Sequence, residues 1–222
     1  MRKLNPLLLI GLPLISNIAS FMIFAPLFTS GKEVAAADFK QASILVGFAV
    51  LCIEIIAFLL ILIALKKENS SIKPLINYDK SKVKLYVKYF LLALLPTLLA
   101  GWLYCKAQVG MGIETDVSKY TGNELFIWLI LTPMAVPFLE ESIWRGYCLP
   151  KFSRSVRGVI LTSISFAFFH GIFSPLVLLA TFLMGIIWGF LYLKTRSVIP
   201  GFLLHLLSRY LLFIPGFVFF IK

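Results

Sequence analysis

Between Leu4 and Thr29 the chain carries no charged side chain, and the same holds from Tyr89 to Cys105. From Gln41 to Leu65 the only charge is Glu54. A run of about 20 apolar residues is what a helix needs to cross the hydrocarbon core of a bilayer. Lipid offers the backbone no hydrogen-bond partners, so each N–H and C=O must be satisfied within the segment, and such runs fold as helices. Composition agrees. Of the 222 residues 60% are hydrophobic and only 14% charged, against about 25% charged in a soluble domain. The fold class expected is all-α: a polytopic transmembrane helix bundle.

Hydropathy places about seven spans, at approximately residues 5–29, 42–65, 86–105, 124–149, 157–175, 176–194 and 198–220. Gly171, Ser174 and Pro175 are the only punctuation between the fifth and sixth. The length suits one membrane-embedded domain over residues 1–222. Met1-Arg2-Lys3 before an apolar run resembles a signal peptide, but the run continues to about Leu27, past the 7–15 residues of an h-region, so a retained first span is expected. Loop 66–88 carries seven lysines against Glu68 and Asp79, and further basic clusters lie at Arg145–Arg157 and Lys194–Arg196. Loops 30–41 and 106–123 are balanced. Every second loop is therefore basic, which predicts a cytoplasmic N-terminus. The net charge of +11 is an orientation signal and not a nucleic-acid footprint. Cys52, Cys105 and Cys148 are odd in number and scattered, so neither a disulfide framework nor a metal knuckle is expected.

Several ionisable residues break the apolar pattern. Glu140 and Glu141 are adjacent, Arg145 follows four residues after the second, and the only two histidines, His170 and His205, also lie in apolar stretches. Charge inside a membrane costs about 2.5–3.5 kcal/mol on insertion scales, so such residues usually mark function. At 1.5 Å per residue, Glu140, His170 and His205 lie ~15, ~20 and ~10 Å from the inner ends of their spans, in one shared layer. Glu141 and Arg145 are spaced i,i+4 with the acid first, the better orientation for a pair. Glu140 points about 100° away on the helix wheel, which leaves it free to accept a proton. Phe166 and His170 are likewise i,i+4, which puts a ring beside the imidazole. The competing structural reading is a buried hydrogen-bonded network that fixes helix packing.

Glu140-Glu-Ser-Ile-Trp-Arg145 resembles the E-E-x-x-x-R motif of the CPBP family, the CAAX proteases and bacteriocin-processing enzymes, also called Abi. Phe166-Ala-Phe-Phe-His170 resembles its F-x-x-x-H motif, and the segment from Gly185 to His205 is similar to the stretch leading into its last motif. The resemblance covers a core of about residues 120–210. It implies an eight-helix or slightly smaller bundle with intramembrane endopeptidase activity. Glu140 with His170 would activate a water, Glu141 and Arg145 would support the site, and His205 would stabilise the oxyanion or bind a metal. One departure stands out. The family's last motif ends in Asn or Asp, and the fourth residue after His205 is Arg209. Arg209 either supplies the oxyanion donor itself or marks a weakened member.

Glu140, His170 and His205 have the residue types of a three-ligand catalytic zinc site, so the cofactor expected is none or a zinc ion. A metal-free mechanism needs the same residues. No H-E-x-x-H, no G-x-S-x-G and no intramembrane Asp is present. The expected partners are membrane lipid and a peptide or protein substrate, lipidated or not, but no nucleic acid. The Phe- and Lys-rich composition fits a multi-pass protein of a bacterial plasma membrane. The alternative functions are a bacteriocin self-immunity or membrane interaction protein without catalysis, and a proton-coupled transporter.

Overall fold

The computed structural model describes residues 4–29, 36–110, 122, 126, 130–152, 154–171 and 174–212. Arg2, Lys3, most of the two balanced loops, the start of the fourth expected span and the end of the seventh lie outside these residues. All regular elements among the described residues are helical.

The uncharged first run forms α1 (Leu4–Thr29) and the run around Glu54 forms α2 (Ala36–Lys67). A short α3 (Lys73–Ile76) and a 3₁₀ turn at Lys80–Lys82 lead into α4 (Val83–Gly110). α5 (Thr132–Glu140) runs directly into a π-helical segment (Glu141–Cys148) and then α6 (Leu149–Phe152). α7 (Val156–Phe169), α8 (Pro175–Thr195) and α9 (Ile199–Leu212) complete the bundle. Ser155 and Ser174 cap α7 and α8 by accepting from the N–H groups of Gly158 and Val177. Pro175 at the start of α8 gives up no helical hydrogen bond there.

Among the described residues four helical stretches are long and apolar enough to cross a membrane: Leu7–Pro26, Ile44–Lys67, Lys80–Ala107 and Pro175–Thr195. Val156–Phe169 is apolar but shorter. The fold is thus an all-helical membrane bundle, and the expected count of seven spans goes beyond it. The described part of the fourth expected span includes a nine-residue helix followed by a π segment that holds Glu141 and Arg145.

The surface is apolar where a soluble protein's would be polar. Leu7, Ile10 and Phe21 on α1, Ile56 and Leu59 on α2, and Leu91, Leu95 and Leu99 on α4 are all more than half exposed. In water such faces would make oversized patches; in a bilayer they meet lipid.

α8 is central, packed against α4 on one side and α7 on the other. Small residues set the α7–α8 approach. A Cβ at Gly189 would stand 2.7 Å from Cγ1 of Val159, and one at Gly185 would stand 2.9 Å from Cβ of Ser163. Gly189→Ala is therefore expected to destabilise the bundle by about 1–3 kcal/mol, the usual cost of overpacking, read as a lower unfolding temperature in detergent. Polar links tie the helices further, as they do in membrane bundles. Trp188 Nε1 donates to Thr97 Oγ1 at 3.2 Å, Trp144 Nε1 to Ser165 Oγ at 3.1 Å, and Ser165 Oγ to the Leu9 carbonyl at 2.8 Å. At the basic loop, Ser142 Oγ donates to the Leu75 carbonyl at 3.2 Å, Asn77 Nδ2 donates to the Arg196 carbonyl at 2.8 Å, and Lys151 pairs with Glu68. α3 is thereby fastened beneath the π segment. All three cysteines are free.

Candidate active site

The two acids sit where α5 widens into the π-helical segment. Pro137, one turn earlier, has no N–H to give to the helix ladder. From there the bonds lengthen, so that the Leu149 N–H reaches back to the Trp144 carbonyl. π-bulges of this kind recur at functional sites. The whole stretch Glu140–Cys148 is buried.

Glu141 and Arg145 form the expected i,i+4 pair, with Nη1 3.2 Å from Oε1 and both side chains 1% exposed. Arg145 Nη2 also donates to the Gly185 carbonyl at 3.3 Å. Its guanidinium lies over the rings of Phe166 at 4.5 Å and Trp188 at 5.6 Å. The Glu141 carboxylate abuts α9, for a Cβ at Gly201 would stand 2.5 Å from Oε2.

Glu140 turns the other way and meets both histidines. Its Oε1 lies 3.5 Å from Nε2 of His170, and its Oε2 lies 3.5 Å from Nδ1 of His205. His170 occupies the C-cap of α7. Its Nδ1 is 2.9 Å from the Phe166 carbonyl. A carbonyl only accepts, so Nδ1 carries the proton, and this fixes Nε2 as the nitrogen turned to Glu140. Gly171, directly after it, has φ 121°, a conformation glycine adopts freely; the chain can therefore leave α7 sharply at the site. His205, on α9, stacks on Trp188 with ring centroids 4.3 Å apart. The expected Phe166–His170 contact is made at 4.4 Å, and Phe166 also touches Trp144 and His205. Phe166, Trp144 and Trp188 thus hold both imidazoles and the guanidinium in an apolar, aromatic setting.

Arg209, one turn beyond His205, is partly buried and lies within electrostatic range of both histidines. Ser208 turns back to donate to the His205 carbonyl at 2.8 Å, so it does not face the cluster. Glu54 reaches the same place from α2. It is fully buried, α2 packs against α5 and the π segment, and neither of its carboxyl oxygens has a hydrogen-bond partner. In the sequence Glu54 is the single charge between Gln41 and Leu65.

Among the described residues, no three His, Cys, Asp or Glu side chains converge as a metal ligand set. Each oxygen of Glu140 faces a different histidine. No step proposed for these residues runs through a metal.

A helical membrane protein that gathers a glutamate, two histidines and a braced Glu–Arg pair from separate helices has the makings of a buried acid–base centre. The family model described as type II CAAX prenyl endopeptidase Rce1-like matches residues 122–211, the segment that carries all three motifs, and it supports the CPBP/CAAX protease family for this chain. No curated protein and no solved structure matches the chain.

Proposed function

We propose that this protein is an intramembrane endopeptidase that hydrolyses membrane-associated peptides, lipidated ones included, with water activated by Glu140 and His170. The observation that supports this most directly is Glu140 set between Nε2 of His170 and Nδ1 of His205, each 3.5 Å from one of its oxygens. In this reading Glu140 takes a proton from water and the water oxygen attacks the peptide carbonyl carbon. His205 and Arg209 stabilise the resulting oxyanion. The proton then passes to the leaving nitrogen as the C–N bond breaks. Glu141 and Arg145 hold the π segment in place. His170 is the most exposed of the three central residues, at 14%, so substrate approaches from its side. Residues 1–222 form one membrane-embedded unit with a cytoplasmic N-terminus, in a bacterial plasma membrane.

The experiment is cleavage of prenylated and unmodified peptides by the purified protein, read by mass spectrometry. Arg209 supports a second reading, a catalytically weak member that acts by binding, such as a bacteriocin self-immunity protein. The two separate at that residue. If Arg209 is the oxyanion donor, Arg209→Met lowers kcat by about 10²–10³-fold, the cost of losing one such donor. If Arg209 marks a weak member, Arg209→Met leaves turnover unchanged and Arg209→Asn raises it.

A further inference from the structure

We propose that Trp188 is a positioning residue for His205: its indole, locked by a hydrogen bond to Thr97 on α4, is the plane that holds the His205 ring beside Glu140. The role rests on the hydrolytic reading of the cluster and brings α4 into the construction of the site.

The two imidazoles are held by different means. His170 Nδ1 is 2.9 Å from the Phe166 carbonyl, and a hydrogen bond of that kind fixes both the tautomer and the orientation of a ring. His205 Nδ1 has no counterpart to it. It stands 3.5 Å from Glu140 Oε2 but makes no hydrogen bond among the described residues. Rings orient it instead. Trp188 stacks on the imidazole with centroids 4.3 Å apart and planes 29° apart, and Phe166 stands nearly perpendicular to it at 6.5 Å. The indole covers the face, so its tilt sets the tilt of the imidazole. The indole in turn is fixed from α4. Trp188 is 1% exposed and Thr97 0%. A buried indole N–H needs an acceptor, and Thr97 Oγ1 supplies one at 3.2 Å. Turning the indole over would point Nε1 away from α4 and leave it unsatisfied in an apolar setting. The same ring lies 5.6 Å from the Arg145 guanidinium. Gly185, three residues earlier and so on the same face of α8, accepts from Arg145 Nη2 at 3.3 Å. One face of α8 therefore steadies both the Glu141–Arg145 pair and His205.

The test uses the purified full chain in detergent with its histidine rings isotopically labelled. With only two histidines, NMR gives one set of ring signals for each, told apart with His205→Gln. In Trp188→Leu the His205 ring signals should move downfield as the shielding indole face is lost. Those of His170, which packs on Phe166 at 4.4 Å, should stay. Thr97→Val is the milder variant: it keeps nearly the same shape and the whole indole, and removes only the acceptor. The His205 signals should shift there too, and Thr97→Ser, which keeps a hydroxyl, should restore them. In peptide turnover per folded molecule, Thr97→Val should lower kcat by about 10- to 100-fold, up to the cost of a misplacement of about 1 Å, with KM unchanged. Thr97→Ser should stay within a few-fold of wild type. A bond that served packing alone would lower the unfolding temperature of Thr97→Val and leave kcat as it was. His205 signals unmoved in Thr97→Val, or a folded Thr97→Val protein that turns over like wild type, would overturn the proposal. A wild-type protein that cleaves no peptide, yet whose His205 signals move with Trp188 and Thr97, would sink the hydrolase reading and uphold the indole as the group that orients the ring.

Discussion

Glu140→Gln should abolish peptide cleavage while leaving the protein folded. Glutamine has nearly the same shape and fills the same space between His170 and His205. It cannot take a proton from water. Positioned general bases contribute about 10²–10⁴-fold, so turnover should fall by at least that range. Stability should hold, because a neutral amide is easier to bury than a carboxylate and both histidines can still meet a polar group. The measurement is kcat on a cleavable peptide beside an unfolding curve in the same detergent. A large drop in unfolding temperature would instead mean that Glu140 is chiefly a packing residue, the competing structural reading of the buried polar cluster.

Arg145→Met should be the most destabilising single change at the site. Its guanidinium holds Glu141 at 3.2 Å, donates to the Gly185 carbonyl and covers the rings of Phe166 and Trp188. Both charges are about 1% exposed. Removing one partner of a buried pair leaves an uncompensated charge and costs about 3–5 kcal/mol. The Glu141→Gln, Arg145→Met double variant should recover part of that loss, since no lone carboxylate then remains. Chemical denaturation of the two proteins in detergent would decide it. A double variant no more stable than Arg145→Met would show that the guanidinium acts by stacking and not by charge.

The membrane-crossing helices were readable because uncharged runs have one structural outcome in lipid. α1, α2, α4 and α8 lie where hydropathy places them. The stretch around Glu140 was harder. Its charges face inward on a π segment following Pro137, and a count of apolar residues registers neither the widening nor the direction. The local pairs were legible, since Glu141–Arg145 and Phe166–His170 depend only on helical periodicity. The two histidines were conspicuous by being the only ones. Long-range partners were another matter. Glu54 was legible as the single charge between Gln41 and Leu65, but not what it would meet. In the fold α2 packs against α5 and the π segment, and Glu54 is fully buried. Depth along a helix can be counted from sequence, but the azimuth that decides which neighbour is met comes from packing.

The central claim is that Glu140, between two imidazoles, makes water attack a peptide bond inside the membrane. Peptide cleavage in oxygen-labelled water, followed by mass spectrometry of the products, tests it most directly. Wild-type protein should place one labelled oxygen in the new carboxylate, and Glu140→Gln should yield no product. Labelled product formed equally well by Glu140→Gln would contradict the account.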